Sequence, residues 1–374
     1  MAPGRPTRVL IVDDSAVMRS LLRSVLRREP GFETAGTAAD GESALGAIQT
    51  LRPDVVLLDV EMPVMDGLAT LRKLRERGHK MPVVMCSSLT QRGARVTLEA
   101  LASGASDYVA KPSGQASPVE AIAALARELL PKISALTASI SVSPAIPLAP
   151  FRGVPLAGVP FPCETIASVP SVLAIGVSTG GPAALDILLP ALPAQFPLPV
   201  LVVQHMPELF TRLLSERLNE RCPLAVREAS QGELVSAGTI FIARGNWHLE
   251  VAVGARARQP TLRLTQAPLE NHCRPAVDVL YRSAVAVYGS GVLAAVLTGM
   301  GADGLEGARL IRSCGGTVLA QDQATSAIWG MPGAVARAGL AQRVLPIQAL
   351  APEILRLVPW APSVSKDIPR AVTP

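Results

Sequence analysis

In the N-terminal third of the chain, short apolar runs stop abruptly at acidic or hydroxyl side chains, and a helical spacing of apolar positions then follows. Residues 8–12 (RVLIV) end at Asp13-Asp14-Ser15, after which Val17, Leu21, Leu22 and Val25 mark one helical face. Residues 54–58 (DVVLL) end at Asp59, residues 82–86 (PVVMC) at Ser87-Ser88, and Asp107-Tyr108-Val109-Ala110 at Lys111-Pro112. Continuous apolar runs predict strands buried on both faces, and their alternation with helices predicts an α/β fold around a parallel sheet. The polar stops then gather past the carboxyl ends of the strands, where open parallel sheets bind ligands.

Residues 118–133 predict a closing helix with Val119, Ile122, Leu125, Ala126 and Leu129 on one stripe. From 134 to 170 the period disappears into a Pro-, Ala- and Ser-rich stretch, which reads as an interdomain linker. The strand-turn-helix plan resumes in VLAIGVSTGGPAAL (172–185), where an apolar run enters Gly176-Val177-Ser178-Thr179-Gly180-Gly181 and a helical pattern follows through Ala184, Leu185, Ile187 and Leu188. PLPVLVVQHMP (197–207) is a second continuous strand, with Gln204 and His205 its first polar side chains past the end. Residues 210–218 and 276–288 predict helices, and 233–252 short strands and a turn. GVLAAVLTGMGADG (291–304) repeats the plan and delivers Asp303 to another strand end. GGTVLAQD (315–322) is a last unit, with a helical stretch from Pro332 and a frayed end from about 361. The expected organisation is two doubly wound parallel-sheet domains, residues 1–133 and 171–358, joined by a linker at 134–170 and followed by a tail at 359–374.

Composition narrows the class. The 374 residues suffice for two cores, and with 49% hydrophobic but only 3% aromatic residues those cores must be aliphatic. No apolar run reaches the roughly 18 residues of a membrane span, and no leader pattern precedes the first strand, so a cytoplasmic protein without direct membrane insertion is expected. Five scattered cysteines (Cys86, Cys163, Cys222, Cys273 and Cys314) fit neither a disulfide framework nor a zinc site. A net charge of +5 without a dense basic run gives no case for nucleic acid.

Asp13, Asp14 and Asp59 at neighbouring strand ends repel one another, and a hard cation such as Mg²⁺ is the usual remedy. A lysine and a hydroxyl nearby complete a phosphate site. VDDSAVMR, LLDVEMPVMDG, MCSSLT and DYVAKP, in that order and spacing, resemble the receiver domains of two-component response regulators. The resemblance implies a five-stranded, flavodoxin-like domain in which Asp59 accepts phosphate from a histidine kinase. It further implies that Asp13 and Asp14 hold Mg²⁺ with Asp59, that Lys111 contacts the phosphoryl group, and that Ser87 and Tyr108 form the switch pair.

In the second domain, a strand ending in a glycine-rich turn that opens a helix suits a nucleophile at Ser178 and equally suits a phosphate. His205 alone among the four histidines directly follows a strand expected to pair with the one ending at Ser178. A serine activated by a neutral histidine whose tautomer a carboxylate fixes is what acyl transfer needs, and Asp303 is at hand. The order Ser, His, Asp differs from that of the α/β-hydrolases, although Gly176-x-Ser178-x-Gly180 satisfies their nucleophile pattern. A competing reading is a dinucleotide site at Gly299-x-Gly301-x-x-Gly304, with Asp322 as the ribose-binding acid and the domain a noncatalytic nucleotide-sensing module.

IGVSTGGPAAL, VVQHMP, HCRPAVDVL, LTGMGADG and AQDQATSAIWGMP resemble, in order, the catalytic domain of the CheB family of chemotaxis methylesterases. That resemblance implies hydrolysis of glutamate γ-methyl esters and deamidation of selected glutamines on chemoreceptors. By position it makes Ser178 the nucleophile, His205 the base and then acid, and Asp303 the orienting carboxylate. Thr179 would support His205, the Met300 amide would help hold the oxyanion, and no cofactor would serve the ester cleavage. The resemblance also implies that the unphosphorylated receiver restricts access to the catalytic crevice.

Overall fold

The structure is a computed structural model that describes residues 5–112, 117–138, 169–254 and 259–359. The first unit runs β1 (Thr7–Val12), α1 (Ala16–Leu26), β2 (Phe32–Ala38), α2 (Gly41–Leu51), β3 (Val55–Asp59), α3 (Gly67–Glu76), β4 (Val83–Ser87), α4 (Gln91–Ala102), β5 (Asp107–Ala110) and α5 (Pro118–Ala138). Its strands form one parallel sheet in the order β2-β1-β3-β4-β5. β3 and β4 are buried along their whole length, as continuous apolar runs require. The edge strand β2 (FETAGTA) is mostly half-exposed and carries no apolar run, which is why hydrophobic pattern alone passes over it.

Two helical faces differ from the sequence expectation. Ser15 caps α1 by accepting a hydrogen bond from the Met18 amide, and the register this sets turns Met18, Leu22, Val25 and Leu26 inward. Val17 is left 77% exposed. In α5 the inward stripe is Leu125, Leu129, Ile133 and Leu136, while Val119 faces solvent. α5 continues to Ala138, so the ordered chain runs past the limit expected at 133. Residues 139–168 of the expected linker, Cys163 among them, and the tail beyond 359 lie outside the described residues.

The second unit runs β6 (Val172–Val177), α6 (Gly181–Leu188), β7 (Val200–Gln204), α7 (Glu208–Asn219), β8 (Ala225–Glu228), β9 (Thr239–Ile242), β10 (His248–Val253), β11 (Pro260–Thr265), α8 (Val277–Tyr288), β12 (Val292–Val296), α9 (Leu305–Ser313), β13 (Thr317–Gln321), α10 (Met331–Arg337), β14 (Arg343–Leu345) and α11 (Ile347–Leu357). Seven of these strands form a parallel sheet in the order β14-β13-β12-β6-β7-β9-β8, and β10 and β11 pair as a separate antiparallel ribbon. From β6 the chain builds outward to β7 on one side and later to β12 on the other. β6 therefore lies at the switch point where a crevice opens past the strand ends.

α4 of the first unit packs against α6 and α7 of the second. Tyr108 stacks on Phe210 with ring centroids 4.5 Å apart, and Arg217 donates to the Leu98 carbonyl at 2.9 Å. Arg95 and Glu216 add an exposed ion pair at 3.2 Å.

Candidate active site

Ser178 is the first residue past β6, and its backbone is held on several sides. Its amide donates to Thr298 O (3.0 Å), and its carbonyl accepts from the Gly181 amide (2.8 Å) and from Gln204 Nε2 (3.0 Å). Two glycines make the turn possible. Gly180 adopts φ +76° to open α6, and a Cβ on Gly181 would meet Gln204 Oε1 at 1.9 Å. Val177 pairs with Gln204 across β6 and β7, so Ser178 and His205 are the next residues on adjacent strands, and the His205 amide donates to Val177 O at 3.2 Å.

The His205 ring meets Asp303 Oδ2 through Nε2 at 2.8 Å. An ionised carboxylate only accepts, so the hydrogen belongs on Nε2 and the neutral ring keeps its lone pair on Nδ1. Nδ1 in turn lies 3.6 Å from Cys273 Sγ. Asp303 is held firmly. Its Oδ2 also accepts from the Val277 amide (2.7 Å), and its Oδ1 accepts from Asn271 Nδ2 (2.8 Å) and the amides of Asp278 (3.0 Å) and Gly304 (2.9 Å). Val277 and Asp278 open α8, whose free amides and positive end favour this carboxylate.

The electrostatics follow from these contacts. Burial disfavours a charged His205, but Asp303 and Cys273 outweigh it and raise the ring's pKa from 6.5 to about 9. Burial raises Asp303, yet the bond to His205 and the backbone amides bring its carboxyl below the ordinary value. For the neighbouring Asp278 burial prevails and its pKa is raised.

The structure thus places Ser178, His205 and Asp303 at one rim, with the imidazole on Asp303. Ser178 Oγ makes no hydrogen bond among the described residues. Thr179 departs from the expectation that it supports His205. It is buried, and its hydroxyl donates to Asp107 Oδ2 of β5 in the first unit at 2.7 Å, where the packed edge of the first sheet brings a carboxylate to it. The Met300 side chain is 37% exposed, and neither its amide nor that of Thr179 donates to a backbone group among the described residues. Sequence reasoning missed Asn271, Cys273 and Asp278. The motif HCRPAVDVL was conspicuous, but nothing in hydrophobic period shows that the turn preceding α8 folds onto Asp303. His248 is structural, accepting the Ala276 amide on Nδ1 and facing Pro268 O with Nε2.

The competing dinucleotide site finds no support in its acid. Asp322 Oδ1 accepts from the Thr325 amide and hydroxyl (3.0 and 2.6 Å), closing a turn. The glycines are explained by geometry, since a Cβ on Gly299 would lie 2.4 Å from Met331 Sδ and 2.8 Å from Ser178 Cβ, while Gly301 and Gly304 adopt positive φ.

In the crevice of the first unit, Asp13, Asp14 and Asp59 each offer a carboxylate oxygen within 4.8 Å of one another, a hard-oxygen set that fits a divalent cation. Lys111 Nζ reaches Asp13 Oδ2 (2.9 Å) and Asp59 Oδ2 (2.7 Å). Burial raises the pKa of Asp59 despite Lys111, whereas the two carboxylates overcome burial to raise that of Lys111. Ser87 is buried, donates to Ser88 O (3.1 Å) and lies 2.7 Å from Thr97 Oγ1. Tyr108 is buried on Phe210.

Two family models match separate stretches of the chain. The family model for CheB methylesterase matches residues 173–354, and that for the response regulator receiver domain matches residues 9–123. A protein-glutamate methylesterase/protein-glutamine glutaminase of Nocardioides sp. (strain ATCC BAA-499 / JS614) is 51% identical over 352 residues, covering 93% of this chain and 94% of its own. A protein of the same name from Trichodesmium erythraeum (strain IMS101) is 44% identical over 356 residues, covering 94% and 99%. The crystal structure of the Thermotoga maritima CheB methylesterase catalytic domain is 41% identical, covers 51% of this chain and 100% of its own, and has a TM-score of 0.49.

Proposed function

This chain belongs to the CheB family of receiver-bearing methylesterases, and from that premise we propose which of its residues carry out and control the reaction. It is a phosphorylation-regulated hydrolase of chemotactic adaptation. It cleaves glutamate γ-methyl esters on chemoreceptors, releasing methanol, and deamidates selected glutamines.

Ser178 is the nucleophile in our reading, His205 the base and then acid, and Asp303 the carboxylate that fixes the ring. The observation that carries this is the 2.8 Å His205–Asp303 contact at the strand end next to Ser178. Nδ1 of His205 takes the Ser178 proton as Oγ attacks the ester carbonyl. The resulting oxyanion is received by the free amides of Thr179 and Met300. The Nδ1 proton then passes to the departing methoxide and methanol leaves. Water, deprotonated by the same nitrogen, attacks the acyl-serine, and the proton returns to Ser178 Oγ as the glutamate is freed. For a glutamine side chain, ammonia leaves in place of methanol. Ser178 Oγ makes no hydrogen bond among the described residues, so no existing bond has to be broken before it gives up its proton.

Regulation begins at Asp59, proposed to accept phosphate from a chemotaxis-type histidine kinase. Asp13, Asp14 and Asp59 would hold a Mg²⁺, whose charge offsets that of the carboxylates and the incoming phosphoryl oxygens. Lys111 and Ser87 turn to the phosphoryl oxygens, and Tyr108, leaving Phe210, loosens the receiver from the loop bearing Thr179. No helix among the described residues is long and apolar enough to cross a membrane. The proposed substrates, the cytoplasmic helices of methyl-accepting receptors, place the protein's work in the cytoplasm. Ser178→Ala is expected to end methanol release from methylated receptor while Asp59 still accepts phosphate; retained release would refute the nucleophile assignment.

A further inference from the structure

Only one of the two polar partners of the His205 ring belongs to the proposed triad. The other, Cys273, is delivered by a short, tightly built turn. Glu270 and Cys273 exchange backbone hydrogen bonds (3.1 and 2.8 Å), and Asn271 and His272 between them take left-handed backbone conformations (φ +50° and +63°). Glu270 is clamped by both guanidinium nitrogens of Arg282 on α8 at 2.6 Å each. The same turn sends Asn271 Nδ2 to both Asp303 (2.8 Å) and Asp278 (2.9 Å). One rigid element therefore addresses the carboxylate and the imidazole together.

We propose that Cys273 is a positioning residue for ester cleavage. Its sulfur, 3.6 Å from Nδ1, fixes the plane of the His205 ring and accepts the Nδ1 hydrogen while the ring is protonated. A thiol sulfur is a weak acceptor, so it steadies that hydrogen and yields it to departing methoxide, where a carboxylate would retain it. This rests on the esterase reading of the same site. Among the described residues, the titratable groups in contact with the ring are Asp303 from the loop before α9 and Cys273 from the turn before α8, and Asp278 shares Asn271 with Asp303. Glu208 paired with Arg244 lies on the following helix, and Asp107 of the receiver lies behind Thr179. Of these, Asp303 and Cys273 both favour the protonated ring.

The test is an NMR titration of ring-labelled histidine in the full chain. Its four histidines are His79, His205, His248 and His272, and His205→Gln assigns the resonance. The His205 midpoint is expected to move down by about half a pH unit or more in Cys273→Ala, with a several-fold lower rate of methanol release. Cys273→Ser is expected to restore most of the rate. Should the alanine variant not fold, Cys273→Val keeps the bulk without the sulfur and carries the same readout. An unmoved midpoint, with or without a fall in rate, would reduce Cys273 to a packing residue and overturn the inference. Absence of methanol release from the unsubstituted enzyme would instead refute the esterase reading, and the titration would still decide the role of Cys273.

Discussion

His205 is useful to Ser178 only while its ring is neutral, yet Asp303 and Cys273 raise its pKa from 6.5 to about 9. The rate should therefore climb with pH across that interval, and a profile of kcat/KM for methanol release checks it. The linkage has the opposite sign for stability. A group whose folded pKa exceeds its unfolded value adds stability that is fully present below 6.5 and is lost as pH rises through about 9, so the second domain's denaturant midpoint should fall over the range in which activity grows. Asp303→Asn keeps the shape of the acid but reverses the favoured tautomer, and a loss of ~10³–10⁴-fold in kcat is expected. At this scale the sequence was legible for the placement of polar residues past strand ends, as at Ser178, His205 and Asp303, the residues to which we assign the chemistry. It was silent where a side chain acts across a long loop, as with Asn271 and Cys273, since no period or spacing records which way a turn folds back. The bond that the Thr179 hydroxyl makes was hidden for a related reason: its partner, Asp107, belongs to the other domain.

Elements place these residues, and the junction of β6 with α6 is tightly constrained. Gly181→Ala puts a methyl group 1.9 Å from Gln204 Oε1, whose amide nitrogen holds the Ser178 carbonyl. Such overpacking should cost about 1–3 kcal/mol, read as a lower unfolding midpoint of the second domain, with a larger loss of esterase rate because Gln204 also orients the serine's backbone. Central strands and their helices could be read from the chain because burial on both faces leaves continuous apolar runs. Three of the four edge strands of the parallel sheets could not: β2, β8 and β14 are short or half-exposed and their polarity resembles that of loops, whereas β5, buried over most of its length, could. The inward face of α1 was displaced because Val17 is apolar but exposed, and the Ser15 cap, rather than the apolar count, sets the rotation.

At the scale of the molecule, the receiver reaches the turn between β6 and α6 that carries Ser178. Asp107 accepts from Thr179, the residue after the proposed nucleophile, and Tyr108 lies on Phe210 beside it. A buried hydrogen bond to a charged group contributes ~1.5–3 kcal/mol. Asp107→Ala should thus raise basal methanol release by about tenfold and shrink the further gain from a small phosphodonor, measured on the full chain. The tandem plan was visible in the change of composition after α5, but the interface was not, because its contacts pair residues more than seventy positions apart. The most direct test of the whole account is methanol release from methylated receptor, with and without phosphodonor, by the unsubstituted protein and by Ser178→Ala. The account requires release that phosphodonor stimulates in the first and none under either condition in the second; undiminished release by Ser178→Ala would contradict it.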